Sequence, residues 1–459
     1  MKKLRIASIL LAAAMILGLM TGCIASQVNA DPGTGGTTPA DTGSSGAADS
    51  GTAEAKTITY ASLWTESEPQ ALWLKSLGES YEAETGVKVE MTWVGRDVLN
   101  QVKTLILSGN APDLVDQDQS ELSGAFLTEK EQLVQPLDDL LQGPGPDGEA
   151  TLASVFNEKY LDLYTFQGKN YFIPYNFITS GFYYNKNLWK EVGVEAPRIW
   201  NDFLAAADQF KAAGYEFCAQ DNDPMYNSYW YYWAVQRVMG AGKLLEAAQD
   251  KTGAAWDDPG YLKAAQMVQE ISKAGKNIFQ EGYEGSVWPA GQNDFALGNQ
   301  ATILCGTWIP VELKDMVDSN WDWGYFPFPT VEGGAGTEKD MEAYLIGFCI
   351  PNGAKNVEGA KDFLKYVSSE KNAQGLIDDA LCMHARKGSS MPSVLQDVAG
   401  YLDNAENFHL SYDGVASKAA QWNADVFYPH ANALFHGETT AEQFVANIKE
   451  ASIAFYANK

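Results

Sequence analysis

Apolar and polar positions along residues 57–116 switch between two periods. Residues 58–64 (ITYASLW) form an apolar run of strand length. From Pro69 to Thr85, Leu74, Leu77, Gly78 and Tyr81 fall at i, i+3, i+4 and i+7, the stripe of a helix packed on a core. Gly86 is placed to end that helix in the left-handed conformation. Residues 87–94 (VKVEMTWV) alternate with a strand's period of two. A second helix is expected over 97–108, closed by Gly109, and Pro112 opens a third strand at 113–116. This β-α-β-α-β order predicts parallel strands with right-handed crossovers. Downstream, strands are expected at 171–175 (stopped or bent by Pro174), 182–184, 301–304, 323–328 and 344–350. Helices are expected at 201–213, 229–239, 261–274 and 357–367, with 417–456 helical around a break near Gly437. Strands that return late in such a mixed order predict two α/β lobes, each a mixed, mostly parallel sheet flanked by helices. The chain crosses between them more than once. No internal repeat is visible.

Composition changes the picture at the N-terminus. Lys2, Lys3 and Arg5 precede an apolar run from Ile6 to Met20, then Thr21, Gly22 and Cys23. A basic start, a short apolar core and small residues predict a secretory signal over 1–22, too short for a membrane span. The ending resembles a bacterial lipobox, with Met20 where Leu is usual, which implies cleavage before Cys23 and a lipid on that cysteine. Residues 24–56 contain no aromatic residue and are rich in Gly, Thr, Ser, Ala and Asp, so 23–56 is expected to be a flexible tether. A membrane-held, extracytoplasmic body follows.

The chain of 459 residues carries 32 Lys and Arg against 59 Asp and Glu, a net −27. That balance argues against nucleic acid or an anionic membrane surface as partner. Cys218, Cys305, Cys349 and Cys382 are widely spaced in apolar contexts, so buried free thiols or a disulfide are both open. No CxxC and no HExxH occurs, and neither a metal nor a cofactor is expected.

Four stretches carry a resemblance to a known family. They are AETGVKVE…LILSGNAPDLV (83–115), GKNYFIPYNFITSGFYYNKNLWKEVGVEAP (168–197), FALGNQATILCGTW (295–308) and IPNGAKNVEGAKDFLKYVSSEKNA (350–373). In this order, they resemble the extracellular solute-binding proteins of ABC importers, in the carbohydrate group that includes maltose-binding protein. Two departures stand out. Arg198-Ile199-Trp200-Asn201 lacks the usual capping Thr, which leaves Asn201 or another group to cap the helix. Met383-His384-Ala385-Arg386 replaces a Pro-containing loop. The resemblance implies a periplasmic-binding-protein-like fold whose lobes close on a sugar and signal to a permease. It implies crossings near 173–174, 325–327 and 410–412. Lobe one would then be 57–173 plus 328–410, and lobe two 174–326 plus 411–459. A monomer without enzymatic activity is expected.

Sugars offer C–H faces that stack on aromatic rings and hydroxyls that need paired donors and acceptors. In parallel sheets ligands sit beyond the carboxyl ends of strands. The corner after the first strand, Trp64-Thr65-Glu66-Ser67-Glu68-Pro69, stands at such an end. Thr65 and Glu68 fit a capping box, which leaves Trp64 to edge a cleft and Glu66 to accept hydroxyls, with Glu68 open to either role. Arg96 follows the second strand and is placed to donate to a ligand or to pair with a rim carboxylate. Asp116 and Asp118 flank the third strand's end. Trp230 and Trp233 share a helical face, either a stacking surface or core. Trp308 follows a strand end and matches the family's Trp. By resemblance, Trp422 lies on a late lobe-two helix where maltose-binding protein also uses a Trp, and His384 and Arg386 lie in a loop facing the cleft.

Two other functions compete. Acidic and aromatic richness would also suit a cationic ligand such as a polyamine. A glycoside hydrolase needs two carboxylates flanking one bond, and Glu66 and Glu68, two apart on a turn, diverge.

Overall fold

A computed structural model describes residues 57–128 and 130–457. The expected signal segment, Cys23 and the tether through residue 56 lie outside the described residues. Among the described residues no helix is long and apolar enough to cross a membrane.

The local pattern sets the first units. β1 (Thr57–Ser62) leads to α1 (Pro69–Thr85), which has Pro in its first turn and ends at Gly86 with φ 75°. β2 (Lys88–Trp93), α2 (Val98–Leu107), β3 (Leu114–Asp118) and α3 (Gln119–Phe126) follow. β4 (Ile173–Ile178) runs through Thr179 into β5 (Ser180–Asn185). Then come β6 (Glu216–Ala219), β7 (Gln300–Gly306), β8 (Trp323–Phe326), β9 (Asp340–Glu342) and β10 (Tyr344–Cys349). β11 (Met383–His384) and β12 (Asn407–His409) complete the strands.

One sheet has the order β11-β4-β10-β3-β1-β2 and another β6-β7-β5-β8, while β12 and β9 form a two-stranded ribbon. These sheets are the centres of two lobes. β1 pairs in parallel with β2 and β3, and β6 with β7. The other pairings in the two sheets are antiparallel and outnumber the parallel ones, a departure from the expected mostly parallel sheets. β10 returns from the other lobe and so enters its sheet from the opposite end.

The first change of lobe lies a few residues beyond the place expected. β4 pairs with β10 as far as Ile178, so the first change falls at Thr179 and not at 173–174. Phe328 still packs against Trp230 and Trp233 of the second lobe, whereas Tyr344 and Leu345 of β10 pair with Ile178 and Phe177 of β4 in the first sheet. The second change therefore falls between Phe328 and β10. Tyr412 packs against Tyr229 and Tyr232 of the second lobe.

Arg237 fixes the returning segment. It is 0% exposed at the end of the helix Pro224–Met239. Its Nε donates to the Phe328 carbonyl at 2.8 Å and its Nη1 to the Gln236 side-chain oxygen at 2.9 Å. The same Nη1 also reaches the carbonyls of Thr337 and Asp340. The guanidinium lies 4.9 Å from the Trp233 ring centre. Beside it, Glu342 of β9 is fully buried and accepts from the hydroxyls of Tyr229 and Ser411, which joins the ribbon to the second lobe.

The helix Trp200–Ala212 is not capped by Asn201. Ile199 holds the cap position without a side-chain bond, and the Trp200 N–H donates to the Thr330 carbonyl at 2.8 Å. All four cysteines of the described body are buried free thiols.

Candidate functional site

The carboxyl ends of β3, β1 and β2 lie side by side in the first sheet, and those of β7 and β6 in the second. Each rim carries a helix start, aromatic rings and carboxylates. The rims meet where Trp308, after β7, has its ring 6.4 Å from that of Tyr344, at the start of β10. Trp308 is half-buried and begins the short helix Ile309–Glu312, which puts Glu312 one turn beyond it. Its ring lies over Gly306, where an added Cβ would come within 2.0 Å. Only glycine leaves room for the ring in that position.

On the other rim Asp118 caps α3, with Oδ1 accepting the Glu121 N–H at 2.8 Å. Asp118 is 2% exposed and its Oδ2 has no partner. Burial, reinforced by the nearby Glu121 charge, pushes its carboxyl well above the usual range. Glu121 and Glu312 are exposed to solvent, with neighbouring protein desolvating each in part. Burial raises both carboxyls and the Arg96 charge offsets part of this in each; for Glu312 a bond from Gln292 at 2.9 Å also opposes the rise. Arg96 is thus within electrostatic reach of carboxylates on both rims. Burial, then the nearby Asp118 and Glu121 charges, raises the Tyr344 hydroxyl well above its usual range.

The corner after β1 is built as a unit. Glu68 Oε2 accepts from the Thr65 N–H at 2.6 Å and its hydroxyl at 2.9 Å. Arg96 donates to Glu68 Oε1 at 2.6 Å and to the Leu63 carbonyl at 2.9 Å, with its guanidinium 5.0 Å from the Trp64 ring centre. Arg96 therefore pairs with a rim carboxylate. Trp64 is 5% exposed, and its indole N–H donates to the Tyr175 hydroxyl at 2.7 Å. That hydroxyl donates to Asp116 Oδ2 at 2.6 Å, while Asp116 Oδ1 accepts the Leu63 N–H at 3.1 Å. Burial raises the Asp116 carboxyl to about 6, and the bonds from Tyr175 and Leu63 hold it below what burial alone would give. Asp116 positions the Leu63–Trp64 corner and is fully buried, so it does not reach a ligand. Glu66 is exposed, 3.7 Å from Lys75.

Five expected site residues lie elsewhere. Trp230 is in the second core, its N–H bonded to Gln220 and its ring against Phe182 and Phe279. Trp233 stacks on Phe328 at an interplanar angle of 5°. Trp422 stacks near Trp256 and donates to Ser452 at 3.0 Å. All three are 1% exposed and offer no ring face to a sugar. His384 is buried in edge strand β11, its Nδ1 accepting the Arg386 N–H and its ring against Trp73. Burial, then the Arg386 charge, lowers it to about 3, so the ring is neutral at physiological pH. Arg386 bonds to the Ser368 carbonyl and pairs with Asp147 and Glu149. Both hold the edge of the first sheet and do not line the cleft.

Glu121, Glu312 and Tyr344 were not singled out by the sequence. Glu121 and Glu312 carry a readable signal, since each lies in the first turn of a helix that follows a strand end. Tyr344 carries none, because β10 reaches the end of β3 from a distant part of the chain.

Similar proteins share this arrangement of two sheets. A solved chitin oligosaccharide binding protein has a TM-score of 0.70 with 19% sequence identity, covering 87% of this chain and 99% of its own. A diacetylchitobiose binding protein of Streptomyces coelicolor is 24% identical over 309 residues, 66% of this chain and 64% of its own length. The match thus spans somewhat less than two thirds of that relative. A maltodextrin-binding protein of Bacillus subtilis is 25% identical over 330 residues, 67% of this chain and 69% of its own. These are binding proteins. The family model for bacterial extracellular solute-binding proteins matches residues 64–374, and the chain belongs to that family.

Proposed function

We propose that this chain captures a carbohydrate, an oligosaccharide, in the cleft between its lobes and delivers it to the permease of an ABC importer. One observation carries the reading. The Trp308 and Tyr344 rings meet at 6.4 Å from opposite rims, with Glu312 one turn beyond Trp308 and Glu121 in the helix that Asp118 caps. Rings supply the C–H contacts a sugar needs, and the charged groups supply its hydroxyl partners. The relatives named above bind chitobiose, chitin oligosaccharide and maltodextrin by their names, which supports the same class here. Closure would bring the rims together around the ligand, a hinge motion about Thr179, β9 and Leu410. The protein would act as a monomer without a cofactor or catalytic residue.

Thermal melting of the whole chain, in a detergent without a sugar head group, tests this against neutral oligosaccharides, uronic-acid oligomers, polyamines and peptides. A ligand that binds only the folded state raises the midpoint by mass action. A shift with a neutral oligosaccharide and no cleavage product is expected. The surplus of cleft carboxylates over Arg96 favours one rival, a cationic ligand. A shift with polyamines alone, lost on adding salt, would replace the sugar reading with that one.

Lipidation of Cys23 and an extracytoplasmic location belong to the same proposal, on the strength of the basic start, apolar run and Thr-Gly-Cys ending. Cys23→Ser is expected to move the protein from the membrane fraction to the soluble one. Retention of the variant in the membrane would refute the anchor.

A further inference from the structure

Trp288 is 51% exposed and its neighbour Val287 74%. A tryptophan held in water gives up the burial that usually justifies it. Its place in the fold suggests what covers it. β6 lies next to β7 and parallel to it, so the loop after β6 continues the rim that carries Trp308. In that loop Asp221 is 6% exposed, and its Oδ1 accepts from the Ser286 hydroxyl at 2.7 Å and the Gly291 N–H at 2.6 Å. The Asn222 N–H donates to the Ser286 carbonyl at 2.9 Å, and its side chain to the Glu284 carbonyl at 2.6 Å. An added Cβ on Gly291 would lie 2.8 Å from the Gln220 carbonyl, so the approach is close as well as bonded. Residues 286–291 are therefore pinned at both ends to the carboxyl end of β6. Next to them, Gln292 bonds to Glu312, one turn from Trp308. A rigid loop holding an exposed indole, one strand outward from Trp308, has the form of a second stacking platform.

We infer that Trp288 forms an outer sugar position on the lobe-two rim, which makes the ligand an oligosaccharide long enough to extend past Trp308 and over β6. This rests on the carbohydrate reading. A short sugar occupies the position at Trp308 and Tyr344, while a longer one adds a unit that lies on Trp288. The inner position then sets the class of sugar and the outer one sets preference for length.

Titration calorimetry on the whole chain distinguishes the possibilities, using disaccharides and tetrasaccharides of glucose, xylose and N-acetylglucosamine as probes. Trp288→Ala is expected to weaken a tetrasaccharide roughly five- to tenfold, the range of one aromatic contact, and to leave the matching disaccharide within about twofold. Trp288→Tyr restores most of the loss. The exposed position predicts an unchanged melting midpoint, which separates a contact effect from misfolding. Unchanged tetrasaccharide affinity in Trp288→Ala would overturn the outer position while leaving the carbohydrate reading intact. The same holds for equal losses with both lengths. Normal affinity with lost uptake in cells would assign Trp288 to the permease instead. If no oligosaccharide binds the unaltered chain, the carbohydrate reading and this inference both fall.

Discussion

Arg237→Met is expected to destabilise the body by about 3–5 kcal/mol, the range for removing one partner from a buried, charged hydrogen-bond set. Methionine keeps much of the volume and contact with Trp233 but donates no hydrogen bond. The Phe328 carbonyl loses its charged donor in a place water does not reach, and the Thr337 carbonyl loses one nearer the surface. Asp340 loses a nearby positive charge. Burial alone would raise its carboxyl, but bonds from Thr337 and Asn407, with the Arg237 charge, bring it below the usual range. Arg237→Lys keeps a point charge without the planar fork, so it should recover only part of the loss. The measurement is denaturant unfolding of the three proteins. A loss under about 1 kcal/mol in Arg237→Met would mean that residues 328–340 find other partners and that the buried guanidinium is dispensable. Because this segment carries the chain into β9, the same variant should loosen the hinge as well as the core.

The first lobe was the more legible one, for a local reason. Pro69, the stripe Leu74–Tyr81 and Gly86 specify α1 without reference to anything distant, and the structure has that helix at Pro69–Thr85. Pro174 shows where local reasoning fails. It was expected to stop or bend a strand, yet β4 continues to Ile178, because Pro174 lies opposite Gly347 where the register with β10 shifts. A proline is tolerated at such an irregularity, where a regular ladder bond is not required. No sequence rule shows that a strand some 170 residues later supplies it. The aromatic clusters failed for a related reason. Spacing puts Trp230 and Trp233 on one helix face, but the helix Pro224–Met239 is covered by protein from Trp230 to Arg237. Richness in tryptophan therefore reported a core as readily as a cleft. At the corner after β1, spacing anticipated the Thr65–Glu68 bonds and a carboxylate partner for Arg96, but not the buried partners of Asp116. Glu68 serves Thr65 and Arg96, and Asp116 serves Leu63 and Tyr175. The carboxylates that remain open to the cleft, Glu121 and Glu312, lie one helical turn further on.

Trp308→Ala is expected to produce the largest loss of ligand affinity of any single cleft substitution, about 2–3 kcal/mol, or roughly 30- to 150-fold. The indole is half-buried before any ligand arrives, and it meets Tyr344 across the rims. Its truncation removes both a stacking face and a contact between lobes. Glu312→Gln should cost less, about 1–2 kcal/mol, since the amide still accepts one hydrogen bond but loses the charge. Gly306→Ala should resemble Trp308→Ala, because the added methyl would occupy the place of the indole and displace it. That likeness is the informative part. A general loss of stability would lower the melting midpoint without ligand, whereas a displaced platform lowers affinity and leaves the midpoint within a few degrees. Calorimetric titration with the oligosaccharide that shifts the melting curve, beside melting of each ligand-free variant, separates the two. If Trp308→Ala binds within threefold of the unaltered chain, the ligand does not stack where the rims meet, and the site has to be sought among Trp64, Arg96 and the corner after β1.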